Sequence, residues 1–277
     1  MAKPRKSPGT AADPKVDEKV ERVEEDATPP TPVIYEAVRR LGEEEMERPA
    51  VSLWWSGVAG GLSISFSLLA QAILAMHLPD AQWRPLLVAL GYPVGYLMVV
   101  LSRQQLFTET TITVVLPVMK EPTRRRFTLA ARMWAVVLVA NLAGTLFAAL
   151  FCTWSPVIGP EMRTSMLEIA RHSLDHSWVE LGFRGVTAGF LMAALVWLMP
   201  AAGQVQFHVV GLITYVIGAG DFSHIVAGSM DAFLLAANGS ASLASVFAFL
   251  LPVLAGNIVG GTVLFAVLSH AQVMQEI

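Results

Sequence analysis

Charge is scarce in this sequence. Lys, Arg, Asp and Glu make up 15% of its 277 residues, where a soluble domain carries about a quarter. The deficit is uneven: residues 1–49 hold nine Lys/Arg and twelve Asp/Glu, and the other 228 residues hold ten of each. An ordinary soluble enzyme is therefore not expected. The net charge of −3 comes wholly from the tail, so no basic excess points to nucleic acid. Cysteine is nearly absent as well. A lone Cys152 excludes an internal disulfide and a cysteine-based metal site, and no metal or other cofactor is expected. No signal peptide is expected either, because the first apolar run begins only near Ala50, after a long charged stretch.

What the sequence does have is long apolar runs. Residues 49–79 contain no Lys, Arg, Asp or Glu, and a spanning helix needs roughly 20 apolar residues. A first span fits 52–76. A second fits 85–102, stumbles at Arg103-Gln104-Gln105, and is followed by a short apolar piece at 110–119. A third fits 129–151. Met162, Met166 and Ile169 repeat at helical spacing, which predicts a surface helix over 161–172. A fourth span fits 179–199 and ends at Pro200. A fifth runs over 205–219, breaks at Gly218-Ala219-Gly220-Asp221, and resumes over 224–236. A sixth fits 243–269, with Pro252 tolerated inside it. The fold class is thus all-α and integral to a membrane, with six crossings of which the second and fifth are interrupted.

Lys and Arg placement sets the orientation. The tail and the 120–126 loop hold thirteen positive residues, whereas Arg84, Arg163 and Arg171 alone fall in the opposite loops. Both termini are therefore expected on the cytoplasmic side. Residues 1–32, rich in Pro, Lys, Asp and Glu, are expected to be a disordered tail. Residues 33–48 place Val33, Ala37 and Leu41 at i, i+4, i+8, which predicts a short amphipathic helix beside the membrane. The membrane domain then occupies 49–272.

The two halves of that domain, 49–151 and 177–270, resemble each other. Asn141-Leu142-Ala143-Gly144-Thr145 matches Asn257-Ile258-Val259-Gly260-Gly261-Thr262 at an offset of 116 residues. The breaks also pair, Leu106-Phe107-Thr108 with Asp221-Phe222-Ser223, with Phe107 to Phe222 at 115. Three spans per unit force the second copy to enter from the opposite side, giving an inverted repeat. Paired interrupted helices point to a pathway at mid-membrane. Broken backbone survives there only where protein covers it or it lines a wet cavity. Each second half-helix would present free N–H groups and its positive end, with Thr108 and Ser223 as N-caps. Two such ends attract an anion without a full positive charge. Asn141 and Asn257 are read as bonding to the broken backbone. Gly144, Gly260 and Gly261 are read as close helix contacts.

At these residues the chain resembles the formate/nitrite transporter family. The matching pieces are Leu106-Phe107-Thr108, Asn141-Leu142-Ala143-Gly144, Gly220-Asp221-Phe222-Ser223-His224 and Gly256-Asn257-Ile258-Val259-Gly260-Gly261, in order, over roughly 33–270. The resemblance implies an aquaporin-like six-helix protomer and a homopentamer in the bacterial inner membrane. It also implies one pore per protomer for small monovalent anions or their conjugate weak acids. The family's central histidine falls on His224, with Thr108 facing it from the other break. A neutral imidazole there can donate one hydrogen bond and exchange a proton near neutral pH. Leu106, Phe107 and Phe222 are gate candidates. Tyr92 and Tyr96, at i, i+4, are candidates for a vestibule wall.

The chain also departs from the family, and it looks most like a divergent, YfdC-like branch. Glu109 stands where a small residue follows Leu-Phe-Thr. Ser223 and Ile225 flank His224 in place of Glu and Ser, and Gly228 replaces an Asn. The vestibule Lys is missing, and Gly189 stands at an Asn position. Arg184 in span four and Asp231 in the second half of span five are extra charges, and with Glu109 and Asp221 they are the selectivity candidates. Glu109 has three readings: a cap on its own half-helix, a partner of Arg184 or Arg103, or a pore residue beside His224 that sets selectivity. Asp231 either lines the route or pairs with Arg184.

Two other classes compete with the pore. Gly218-Ala219-Gly220-Asp221 fits a Gly-x-Gly-Asp protease signature, but that chemistry needs a second carboxylate. The only earlier Asp near a span is Asp80, in a loop. A rhomboid-type serine protease needs Gly-x-Ser-Gly, which is absent. A non-conducting membrane scaffold, or a pore of altered selectivity for neutral or other solutes, is the remaining alternative.

Overall fold

The computed structural model describes residues 29–276, and every regular element among them is helical. The tail expected to be disordered lies almost wholly outside the described residues. In chain order the helices are α1 (Thr31–Glu47), α2 (Ala50–Ile64), α3 (Phe66–His77), α4 (Arg84–Val88), α5 (Pro93–Leu101), α6 (Phe107–Thr113) and α7 (Val115–Lys120). They continue as α8 (Arg124–Trp154), α9 (Pro160–Leu174), α10 (Trp178–Ala202), α11 (Gln206–Ala219), α12 (Ile225–Ala237), α13 (Leu243–Ile258) and α14 (Val267–Glu276). A π-helical stretch, Val259–Ala266, joins the last two. Five helical runs are long and apolar enough to cross a membrane: Ala50–His77, Arg84–Leu101, Arg124–Trp154, Trp178–Ala219 and Leu243–Glu276. Ile225–Ala237 is a shorter apolar helix.

Pro200 does not end its helix as expected. It lies inside α10, and the turn comes three residues later at Gly203, whose φ of +47° only glycine adopts freely. Pro252 lies inside α13 as anticipated. The surface helix predicted over 161–172 is α9, with Met166 buried against Leu68 and Met230.

α1 forms, but with a different face inward. Val33 is 53% exposed and Leu41 45%, whereas Ile34, Tyr35, Val38, Gly42 and Met46 are buried. The selector is Gly42, which an apolar count passes over. A Cβ there would lie 1.8 Å from the Thr113 carbonyl oxygen, so only the glycine face can dock on α6. Arg39 is buried on that same face, held by Glu36 at 2.8 Å and by Glu43. Its hydrogen bonds hold the Glu36 carboxyl well below the ordinary carboxylate range.

The two halves have one construction. α2 packs along α8, and α10 packs along α13. Both seams are made of glycines four residues apart, the spacing that puts small residues on one helix face. A Cβ on Gly61 would meet the Asn141 carbonyl oxygen at 2.2 Å, and one on Gly189 would meet the Asn257 carbonyl oxygen at 2.3 Å. Gly144, Gly256 and Gly260 are as closely covered by opposing backbone. Gly261 instead faces Thr111 of α6, whose side-chain oxygen lies 2.0 Å from where a Cβ would stand.

Each seam presents an asparagine to one break. Asn141 Oδ1 accepts the Phe107 N–H at 2.9 Å, while its Nδ2 donates to the carbonyls of Gly57 (2.8 Å) and Gln105 (2.9 Å). Asn257 repeats this with the Ile225 N–H (2.8 Å) and the carbonyls of Gly185 (2.8 Å) and Ser223 (3.0 Å). Both side chains are fully buried. Each break also contains one non-glycine residue at positive φ, Arg103 at 54° and Asp221 at 53°. Arg103 with Asp221, Gln105 with Ser223, and Phe107 with Ile225 are each 118 residues apart. The repeat in the breaks therefore runs three residues off the Phe107–Phe222 match suggested by the letters. The hydrogen-bond pattern, and not the shared phenylalanine, defines equivalence.

Replacing Asn141 or Asn257 with Leu strands one buried N–H and two buried carbonyls. Each substitution is expected to destabilise the protein by about 2–5 kcal/mol. Thermal unfolding of the detergent-solubilised protein checks this, and the two variants should lose stability to a similar degree.

Candidate functional site

The breaks meet at His224 and Thr108. The helices start elsewhere than the sequence suggested: the N-caps are Leu106 and His224, not Thr108 and Ser223. Thr108 is the second residue of α6, and Ser223 lies one residue before the cap of α12. His224 caps α12 with its own ring, Nδ1 accepting the Ala227 N–H at 3.2 Å. That bond requires a lone pair on Nδ1, so the neutral ring carries its proton on Nε2. Nε2 lies 2.7 Å from Thr108 Oγ1 and donates to it. His224 is 1% exposed and Thr108 is fully buried. The next amides along, of Thr108 and Val226, find no acceptor among the described residues.

A cavity of about 370 Å³ runs from α9 down to His224. Tyr92, Phe222, Asp221, Asp231 and Glu168 are among its walls. The Tyr92 hydroxyl is 2.9 Å from that of Tyr96, whose ring meets the His224 ring edge-on at 5.2 Å. Tyr92 is seated by Gly218, where a Cβ would press on its ring at 2.7 Å. Tyr96 stands behind this wall and not on it. Leu106 and Phe107 also lie outside the cavity lining. Phe107 stacks edge-on with Trp134 at 5.8 Å, and Trp134 donates to the Thr110 carbonyl at 3.1 Å.

The charged residues sort themselves by partner. Arg184 donates to the Asp221 backbone carbonyl at 2.7 Å and to its Oδ2 at 2.8 Å. His176 reaches the same oxygen at 2.8 Å, and His172 lies 3.5 Å from it. Arg184 thus belongs to Asp221, neither to Asp231 nor to Glu109, and it holds the second break in its positive-φ turn. Asp231 lines the cavity instead. Glu109 sits in the first turn of α6, the position that suits a carboxylate at a helix start. Its pairing with Arg103 or Arg184 is absent among the described residues, and its Oε1 is buried without a partner.

Sequence reading passed over the contacts between α1 and the first break. Glu45 accepts from Gln105 Nε2 at 2.7 Å and from Thr113 Oγ1 at 3.0 Å. It also passed over His172, His176 and Glu168, which no spacing ties to a break a full helix away. Two departures from the family gain a steric reason. Gly189 has no room for a side chain, as above, and a Cβ on Gly228 would strike the Phe249 ring at 2.4 Å.

The formate/nitrite transporter family model matches residues 32–271. The chain belongs to this family. It is 41% identical to the inner membrane protein YfdC of Escherichia coli over 92% of this chain and 83% of that one. It is 27% identical to the formate channel FocA of Haemophilus influenzae over 65% of each chain. Among solved structures, a chain described as an FNT family ion channel superposes with a TM-score of 0.73 at 21% identity, covering 87% of this chain and 98% of that one. A pentameric formate channel with formate bound superposes at 0.68, also at 21% identity, over 82% and 98%. FocA is named as a formate channel and YfdC as an inner membrane protein, and the all-α membrane fold of the two solved chains is the same.

Burial raises the Glu45 carboxyl above the ordinary range, against its two donors. A raised carboxyl gives stability that is present below its unfolded value and lost as pH rises through its folded one. Docking of α1 should therefore weaken as pH climbs from the ordinary carboxylate range toward the raised value. Hydrogen exchange over residues 31–47 should quicken accordingly, and Glu45→Gln should flatten that response.

Proposed function

We propose that the chain is a membrane channel passing small monovalent anions, or their conjugate weak acids, through a pore in each protomer. The observation that carries this is the His224–Thr108 contact, made where the starts of two half-helices converge and His224 lines the cavity. Family membership and the likeness to a pentameric formate channel support a homopentamer. Likeness to an inner membrane protein, with the distribution of Lys and Arg, supports the bacterial inner membrane with both termini cytoplasmic. In this reading Trp178–Ala219 makes two passages joined at Gly203, which gives six crossings. The chain acts as a conduit and not as an enzyme.

The chemistry follows from the groups at the meeting point. A solute arriving along the cavity can take the Nε2–H of His224 in place of Thr108. The Thr108 hydroxyl then turns to the solute or to a neighbouring carbonyl. The two unoccupied amides add partial positive charge without a fixed cation, so the solute is held weakly enough to leave. Carried as its conjugate acid, with the proton taken from bulk water before entry, the solute would have no charge and would lose most of its desolvation cost. Leu106, Phe107 and Phe222, with Tyr92 and Tyr96, are proposed as the apolar surround that makes such a loss of charge necessary.

His224→Ala removes the donor and the helix cap together, whereas Thr108→Val removes only the acceptor. Uptake of formate or nitrite into proteoliposomes is expected to change by at least about tenfold in His224→Ala and less in Thr108→Val. The oligomer should persist in both. Flux unaltered in His224→Ala would remove the histidine from the mechanism. A wild-type protein that accelerates no solute would favour a scaffold.

A further inference from the structure

We infer that a small, hard monovalent cation of the sodium class binds between α1 and the first break, at Glu45, Gln105 and Glu109. The site does not depend on the pore reading. Among the described residues, six buried side-chain nitrogen and oxygen atoms have no hydrogen-bond partner. Three are the Nε atoms of Arg84, Arg132 and Arg163, which lie far apart in the chain. The other three are oxygens, those of Gln104, Gln105 and Glu109, and all belong to the stretch that ends the first break and starts α6. Acceptors cannot satisfy one another. They need a donor or a cation.

Glu45 places the site. Its Oε1 accepts from Gln105 Nε2 at 2.7 Å, and its Oε2 accepts from Thr113 Oγ1 at 3.0 Å. A carboxylate calls for a donor, so the amide nitrogen of Gln105 faces Glu45 and Oε1 is the end left over. Gln105 is 5% exposed, so bulk water does not serve that oxygen. Glu109 and Thr113 are four residues apart on α6 and share one face of it. Glu45, held by Gln105 before the helix and by Thr113 at its end, therefore spans the face that carries Glu109. Its charge is the one that acts on Glu109.

No basic side chain answers that pair. Among the described residues neither Glu45 nor Glu109 has an ion-pair partner, and the cations of this side are engaged elsewhere. Arg39 is held by Glu36 and Glu43, Arg126 by Glu43 and Glu121, and Arg125 by Glu47. Arg132 donates to the carbonyls of Met46 and Arg48. Arg48 bonds Ser52, and its field reaches Glu45 against that of Glu44. Glu45 thus has two donors, whereas Glu109 has neither donor nor cation, and one negative charge is left uncovered. A water molecule would supply a hydrogen bond but no charge, and an uncompensated buried carboxylate is costly. One monovalent ion balances it. Carboxylate and amide oxygens are hard ligands, suited to hard cations, and a broken membrane helix is where such an ion finds additional backbone carbonyls. No group of three or more His, Cys, Asp or Glu able to hold a metal ion occurs among the described residues; this site uses two carboxylates with a neutral oxygen. Glu45 and Glu109 are each only partly buried, which leaves the ion a way in.

The experiment measures binding of radioactive sodium ion to the full-length protein in detergent at fixed pH and ionic strength, with choline chloride as the balancing salt. Wild type should bind saturably, one ion per chain, and Glu109→Gln should weaken that binding by about tenfold or more. Hydrogen exchange over residues 31–47 should be slower in sodium chloride than in choline chloride for wild type, because the ion ties α1 to α6, and should not differ between the salts in Glu109→Gln. Absence of saturable sodium binding in wild type would overturn the inference and leave a proton or water as the partner of these oxygens. Equal binding in wild type and Glu109→Gln would overturn it as well. If that variant fails to assemble, the wild-type measurements decide alone: exchange over 31–47 that is the same in both salts overturns the site. Formate uptake by the same preparation in liposomes separates the two readings. Uptake without sodium binding defeats the site and leaves the pore, and sodium binding without passage of any solute does the reverse.

Discussion

Two asparagines hold this protein's breaks together. A membrane helix can stop at mid-depth only if the amides and carbonyls it releases find partners inside the protein. Asn141 and Asn257 each supply one acceptor and two donors at the needed place, so each binds the first amide of a half-helix and a carbonyl of the preceding break. The third bond, to Gly57 or Gly185, fixes the asparagine to the neighbouring helix. That helix can come close enough only because the seam is glycine. The site depends on this chain of constraints: seam, asparagine, break, and then His224 and Thr108 at 2.7 Å.

The inverted repeat gives two equivalent scaffolds but not two equivalent active surfaces. Both N-caps occupy the same position in their breaks, yet one is Leu106 and the other His224. The leucine side chain has no polar atom, while the histidine satisfies its helix with one nitrogen and bonds Thr108 with the other. The flanks differ too. Arg184 and two histidines hold the second break through Asp221, whereas Glu45 and Gln105 tie the first to α1. Symmetry supplies the framework, and the unsymmetrical residues make the two breaks differ in polarity.

Legibility varied with how local the cause was. The apolar runs, the two breaks and the surface helix at α9 were readable because each depends on residues adjacent in sequence. Asn141 and Asn257 were readable because the repeat showed them twice. The docking face of α1 was misread, since its selector is a missing side chain at Gly42 that meets the Thr113 carbonyl from another helix. The register of the breaks was misread by three residues because a shared phenylalanine outweighed a hydrogen-bond pattern invisible in letters. The partner of Arg184 was left open between groups that sequence distance alone could not rank.

By itself the sequence determined the class of the protein, because its charge-poor part is divided into apolar runs long enough to cross a membrane as helices. It also determined that two helices break and that His224 lies beside one of them. Tertiary structure decided which charges are silenced and which are not. Asp221 is paired with Arg184 and hydrogen-bonded to His176, while Asp231 forms no ion pair among the described residues and lines the cavity that reaches His224. That difference arises from where α9, α10 and the second break come together, and a packing of separate helices is not written in the spacing of any one of them.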